Sequence, residues 1–393
     1  MTSAPGLGPD NPAMLEDPYP FYAGLQQRHA VLWSEGMQSW LVTRYAECRD
    51  VLNDHERFTQ DRKQIGGTAS EARQNLQASA LSDGLDPAGE KALRRLIVNS
   101  IHSQDIDQLA GSIRADVDRL FAALASRPVF DWMTEVAAPL AAAITAELLG
   151  LREPEPGTFK RVSEAIAQGY NADVKPENSK VGQDGRAQLG ALIEDAWGAA
   201  ADRGGAVAVL KNSADTNEFS TNRMKENLGL LFNGSFAAIF AACGNVALTL
   251  LRRPDVLDRL RDPALLDTGI DELIRYDGPA QVTSRVATQD TKIRDVAIRA
   301  GDGVIALLAA ANRDPEEFPE PNELVLDRKP NRHLGFGWGM HGCVGQAFGR
   351  AALRGLVTGL HEAPTPLRLA GTPVRLRATS VRSLDSLPVT FAE

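Results

Sequence analysis

The chain has little cysteine. Only Cys48, Cys243 and Cys343 occur in 393 residues, far apart and without paired-ligand spacing. That excludes a disulfide framework and a zinc cluster, and it fits a reducing compartment. An excess of positive charge is also missing: 42 Lys and Arg stand against 51 Asp and Glu, a net charge of −9. Such a balance is not that of a nonspecific nucleic-acid binder, and no nucleic-acid partner is expected. The first eleven residues hold Pro and Gly but lack the basic-then-apolar pattern of a signal peptide. There is no internal repeat and no long low-complexity stretch. One segment, residues 227–251, lacks charge altogether. It is long enough to cross a bilayer. Asn233, Gly234, Ser235, Gly244 and Asn245 interrupt it, however, and it stands mid-chain in a polar protein. It is read as a long buried helix, with no membrane partner and a cytoplasmic location.

What is present fits a globular protein: 43% hydrophobic and 24% charged residues. Residues 17–27 read as a short helix and residues 31–43 as strands broken at Glu35-Gly36. Residues 63–84 form a polar connection. Apolar residues recur at helical spacing over 89–151, ending at Gly150. Residues 159–207 are helical but interrupted by the polar stretch 171–186, read as a mobile loop. The long helix stops at Pro254, and another runs over 263–276. Short strands follow around 281–305, then a Pro-rich irregular stretch to Pro330. The tail, 374–391, alternates like a hairpin. No βαβ alternation appears, which excludes a Rossmann-type sheet. The fold class is mainly α with a smaller β portion.

The most informative stretch is Phe336-Gly337-Trp338-Gly339-Met340-His341-Gly342-Cys343-Val344-Gly345. It sets one cysteine in a glycine-rich loop that leads into a helix over 346–360. Glycine lets a backbone turn tightly and approach a flat ligand or a sulfur. A helix start just after the cysteine aims free N–H groups at the sulfur and favours its thiolate. This is a single-thiolate site, and haem iron commonly takes one cysteine as its only protein ligand.

The same run matches Phe-Gly-x-Gly-x-His-x-Cys-x-Gly at every fixed position and resembles the haem-binding signature of the cytochrome P-450 superfamily, soluble bacterial type. The resemblance implies haem b with Cys343 as axial iron ligand, and Phe336, Gly337 and His341 around it. It also implies a long central helix over the haem, the cysteine loop on the proximal side, and one catalytic domain over residues 1–393 with no fused reductase. Glu272-Leu-Ile-Arg275 resembles the family's Glu-x-x-Arg, a buried structural ion pair behind the haem. The stretch from Ala310 to Phe318, with Pro321 and Asp327-Arg328, resembles the segment between the two motifs. Haem propionates need cationic or donor partners. By position these are Arg285, His333 and Arg94; the histidine usual four residues before Arg94 is Glu90 here.

The chain departs from the family in its long helix. Where the family has Ala-Gly-x-Asp/Glu-Thr, this sequence has Asn233-Gly234-Ser235-Phe236-Ala237, or Ala237-Ala238 if the register moves by one. Neither register holds the acid and alcohol that relay protons. Phe236, Ala237 and Ala238 are expected to face the reacting ligand. With Gln281, Val282 and Thr379 they form the expected substrate pocket, whose walls include residues 63–84, 159–186 and 280–283. The tail, 381–389, resembles that of bacterial members acting in secondary metabolism. The resemblance thus implies a monooxygenase for a small or medium organic substrate, with atypical proton delivery. Aromatic nitration, oxidative coupling, peroxide-driven oxidation and a non-catalytic haem protein stand as alternatives. A separate ferredoxin or flavodoxin would supply electrons, received by a basic face including Lys91, Arg95 and Arg354.

Overall fold

The computed structural model describes residues 11–60, 85–169, 178–363, 365–378 and 380–392. Its axis is the long helix Thr221–Arg252, which starts six residues before the uncharged run. Ser220 caps it, its Oγ accepting from the Arg223 amide at 3.3 Å. Pro254 ends nothing inside a helix. It occupies the first turn of the next one, Pro254–Arg259, where a missing N–H costs nothing. Helices Ala138–Leu149, Thr158–Gly169, Asn178–Gly198, Gly205–Asp215, Pro263–Asp277 and Gln346–Glu362 pack around the axis. That surround buries much of the uncharged run, as in the core helix of a globular fold.

Two readings of the sequence are corrected. Residues 178–186, taken as loop, are the start of helix Asn178–Gly198; residues 171–177 lie outside the described residues. Within that stretch Gly182 and Gly185 serve close approach to the neighbouring helix. A Cβ at Gly182 would stand 2.5 Å from the Gly169 Cα, and one at Gly185 2.8 Å from the Ala165 Cβ. The tail is also more than a hairpin. Val374–Arg375 pairs with Leu384–Ser386, while Pro388–Phe391 is the centre of a three-stranded sheet between Phe130–Asp131 and Leu367–Leu369.

The other sheet is mixed. Val31–Ser34 and Ser39–Val42 form a hairpin with Trp33 opposite Trp40. Ser39–Val42 runs parallel to Gly303–Ala306, which pairs antiparallel with Thr283–Ala287, and Phe58–Thr59 closes the far edge. This sheet carries Arg285 toward the cysteine loop.

Between Ala311 and Gly339 the described chain has no helix or strand, and side chains fix it instead. Glu272 and Arg275 are fully buried and bound in a two-pronged pair, both contacts 2.8 Å. Glu272 also accepts from Arg328 Nε at 3.1 Å, Asn331 Nδ2 at 3.1 Å and the Val325 amide at 2.9 Å. Arg275 donates onward to the carbonyls of Asn312, Pro321 and Glu323. Leaving one member of a buried pair unpaired costs about 3–5 kcal/mol. Glu272→Ala is therefore expected to yield little folded, haem-loaded protein, read by soluble yield and thermal midpoint. A soluble, haem-loaded variant that merely turns over slowly would show a catalytic role instead.

Candidate functional site

The glycine-rich loop folds back on itself through its own amides. Gly337 N–H donates to the Leu334 carbonyl at 2.8 Å, and Cys343 N–H to the Phe336 carbonyl at 2.8 Å. Gly337 and Gly339 both have φ of +69°, the left-handed region that glycine adopts freely. Gly339 is also pressed on helix Tyr45–Asn53: a Cβ there would stand 2.9 Å from the Leu52 carbonyl oxygen.

Cys48 and Cys243 are buried, whereas Cys343 is exposed. Protein mass around its sulfur nevertheless pushes the thiol pKa up. The Gly345 amide and the guanidinium charges of Arg94 and Arg350 pull it back toward the thiolate. Gly345 is the N-cap of helix Gln346–Glu362, so the expected helix-start donor is in place. Arg94 Nη2 donates to the Gly342 carbonyl at 2.8 Å. Arg350 was not singled out from the sequence. It lies 4.8 Å over the Phe336 ring and donates to Asp271 at 2.7 Å. Its only sequence signal was Asp271, the residue before the motif glutamate.

Arg285 is 4% exposed, and its hydrogen bonds go only to Thr283 Oγ1 at 3.3 Å and the Ser284 carbonyl at 2.8 Å. Burial alone pushes its pKa down to about 10. No carboxylate among the described residues pairs with Arg285 or Arg94. His341 is held at about 4 by burial and by the charges of Arg285, Arg94 and His55. Two guanidiniums and a neutral imidazole thus gather about the cysteine loop, with no acid paired to either arginine among the described residues. That arrangement fits a flat ligand carrying carboxylates, held through a metal by the sulfur.

His333, expected with Arg285, is elsewhere. Its Nδ1 accepts from the Gly335 amide at 3.1 Å and its Nε2 faces Asp271 at 3.4 Å. Both ring nitrogens are engaged, and the histidine in the cluster is His341.

The long helix likewise corrects the expected pocket. Phe236 is 2% exposed, stacked between Phe232 at 6.2 Å and Phe240 at 6.0 Å and edge-on to Phe159 at 6.5 Å. It belongs to the core. Gly234 and Ala238 are exposed and Asn233 and Ala237 half-buried, forming an open stripe along mid-helix. Gln281 is buried, with Nε2 donating to the Gly278 carbonyl at 2.9 Å. Val282 packs on the cluster of Met14, Tyr22 and Leu25. Thr379 and residues 63–84 lie outside the described residues.

Known proteins are similar to this chain in sequence and in fold. The cytochrome P450 family model matches residues 160–360. The cytochrome P450 monooxygenase PikC of Streptomyces venezuelae is 30% identical over 396 residues, covering 95% of this chain and 91% of that one. The chain belongs to the cytochrome P450 family. The mycinamicin IV hydroxylase/epoxidase of Micromonospora griseorubida is 30% identical over 327 residues, 81% of this chain and 80% of its own. The crystal structure of CalO2 superposes with a TM-score of 0.86 at 27% identity, covering 98% of this chain and 99% of that one. As a cytochrome P450 the protein is a haem-thiolate oxidoreductase of monooxygenase type, with haem b as cofactor, and it works on a small molecule with redox partners. Cys343→Ser is expected to abolish the red-shifted Soret band of the reduced carbon monoxide complex. Arg285→Ala removes charged hydrogen bonds of about 1.5–3 kcal/mol each. It should speed haem loss about ten- to a hundredfold, measured by transfer to apomyoglobin; an unchanged rate removes Arg285 from the site.

Proposed function

We propose that the protein is a monooxygenase of secondary metabolism that oxidises a small or medium organic substrate, with protons supplied by the substrate or by ordered water. The observation that carries this reading is the open stripe of the long helix. Gly234, Ala237 and Ala238 have no exchangeable side-chain proton. Phe236, at the position of the family acid, is turned into an aromatic stack. Neither register holds an acid or a threonine.

Cys343 would hold the haem iron, Arg94, Arg285 and His341 its two carboxylates, and Phe336 the surface beneath the loop. When bound there, the iron supplies oxygen activation, and thiolate donation favours O–O cleavage. The protein's own part is then positional. Gly345 N–H, Arg94 and Arg350 offset part of the burial that raises the thiol pKa, and so favour the anionic sulfur a metal takes. The small side chains of the stripe leave room for substrate and for water, which bridges polar groups nearly as well as a direct hydrogen bond.

Electrons come in this reading from a separate ferredoxin or flavodoxin in the cytoplasm. Lys91 and Arg95 are exposed one turn apart on helix Pro87–His102, the helix that carries Arg94 to the cysteine loop. They offer cations to an acidic partner. Arg354 is instead paired with Asp267.

The test is to return an alcohol to the stripe. Ala237→Thr should leave product formed per NADPH level or lower it, because delivery runs through substrate or water already in place. A large rise would mean that the parent simply lacks a useful relay. Phe236→Glu is expected to fold poorly, since its carboxylate would be buried among phenyl rings with no partner.

A further inference from the structure

Between Leu230 and Ala242 the long helix carries two side chains with exchangeable protons, Asn233 and Ser235. Ser235 is committed to its own helix, its hydroxyl donating to the Phe232 carbonyl at 3.2 Å. Two helical turns before it, Asn227 does the same through Nδ2, which donates to the Arg223 carbonyl at 2.8 Å. Asn233 does not. Its half-buried carboxamide has no hydrogen-bond partner among the described residues. Two N–H donors and one acceptor stand ready in the open stripe.

The reason lies in the neighbours. Asn233 and Ala237 are four apart and share a face. Helical side chains lean toward the N-terminus, so residue 237 roofs the turn that bears residue 233. At Ala237 that roof is a single methyl. At Gly234 a Cβ would meet nothing within 4 Å. The substitution that removes the family's alcohol is therefore the one that uncovers the amide.

We propose that Asn233 is a positioning residue for the oxygen chemistry of this site. Its Nδ2–H would donate to an oxygen-bearing ligand or water received in the open stripe, and its Oδ1 would accept from that water or from a substrate hydroxyl. The inference rests on the haem-thiolate reading above. A carboxamide gives up no proton at neutral pH. It orients the hydroxyl or water that does, and so it favours organic substrates with a hydroxyl close to the oxidised carbon.

The experiment uses the haem-loaded, reduced protein with carbon monoxide, a ligand whose C–O stretching band moves to lower frequency when a donor approaches its oxygen. The parent band is expected below that of Asn233→Ala, and Asn233→Asp, which replaces the donor by an anion, is expected above the parent. Exchange of the parent into D2O should shift its band, and Asn233→Ala should release more hydrogen peroxide per NADPH. Superimposable bands in parent and Asn233→Ala, with the red-shifted Soret band intact, overturn the role of Asn233 and leave the haem-thiolate reading standing. Loss of that Soret band in the parent sinks the reading itself. If Asn233→Ala holds no haem, the D2O experiment decides, and a parent band that does not move overturns the proposal.

Discussion

The carboxylate of Glu272 is the constraint on which the site depends. A fully buried anion is tolerated only when its lone pairs are all engaged. Here Arg275, Arg328, Asn331 and the Val325 amide engage them. The two guanidiniums bring one positive charge more than the carboxylate cancels. Backbone carbonyls absorb the excess: Asn312, Pro321 and Glu323 for Arg275, Pro319 and Glu320 for Arg328. An irregular stretch is thereby tied to one helix at three carbonyls through Arg275, and at two more to its own Arg328, which Glu272 holds. Asn312 continues the chain of support, its Oδ1 accepting from the Leu334 amide at 2.6 Å at the entrance to the cysteine loop. The next acid along, Asp271, reaches Arg350 and His333 on the far side of that entrance. The loop around Cys343 is precise because this ionic frame leaves its base no freedom.

Against that frame the cations near Cys343 stand out. Other buried guanidiniums meet an acid or aromatic rings: Arg382 and Arg375 share Asp277, Arg275 and Arg328 share Glu272, and Arg313 lies between the rings of Tyr19 and Tyr276. Arg285 has a hydroxyl and a carbonyl only, and Arg94 a single carbonyl. Desolvation lowers the pKa of both. Among the described residues neither Arg285 nor Arg94 has an acid or an aromatic ring against its guanidinium. In the proposed reading they are the complement of a ligand's carboxylates, and the nearby sulfur is the complement of its metal.

Much of this was legible in the sequence because each motif is local. The loop needs glycine at fixed positions for left-handed backbone, and Glu272 and Arg275 need only the three-residue spacing of one helix face. Arg94 and Arg285 were placed by family position; in the structure the charge of Arg94 acts on Cys343, and those of both arginines act on His341. What was not legible depended on facing. Phe236 and Ala237 are adjacent, yet a helix turns 100° between them, and only the packing partner Phe159 decides which side is core. His333 and His341 offer the same imidazole, and the Gly335 amide together with Asp271 claims the first. Residues 178–186 read as part of a polar loop because the neighbouring helix that needs the bare Cα atoms of Gly182 and Gly185 is not visible in a local window.

The account's central claim is that one sulfur and an unmatched set of cations receive a single ligand. A crystal structure of the haem-loaded protein, with iron located by anomalous scattering, tests it directly. The account predicts iron bound by Cys343 Sγ as its one protein ligand, with the two carboxylates of the haem hydrogen-bonded among Arg94, Arg285 and His341. Iron held by another residue, or carboxylates directed into solvent while Arg285 keeps only Thr283 and Ser284, would contradict it.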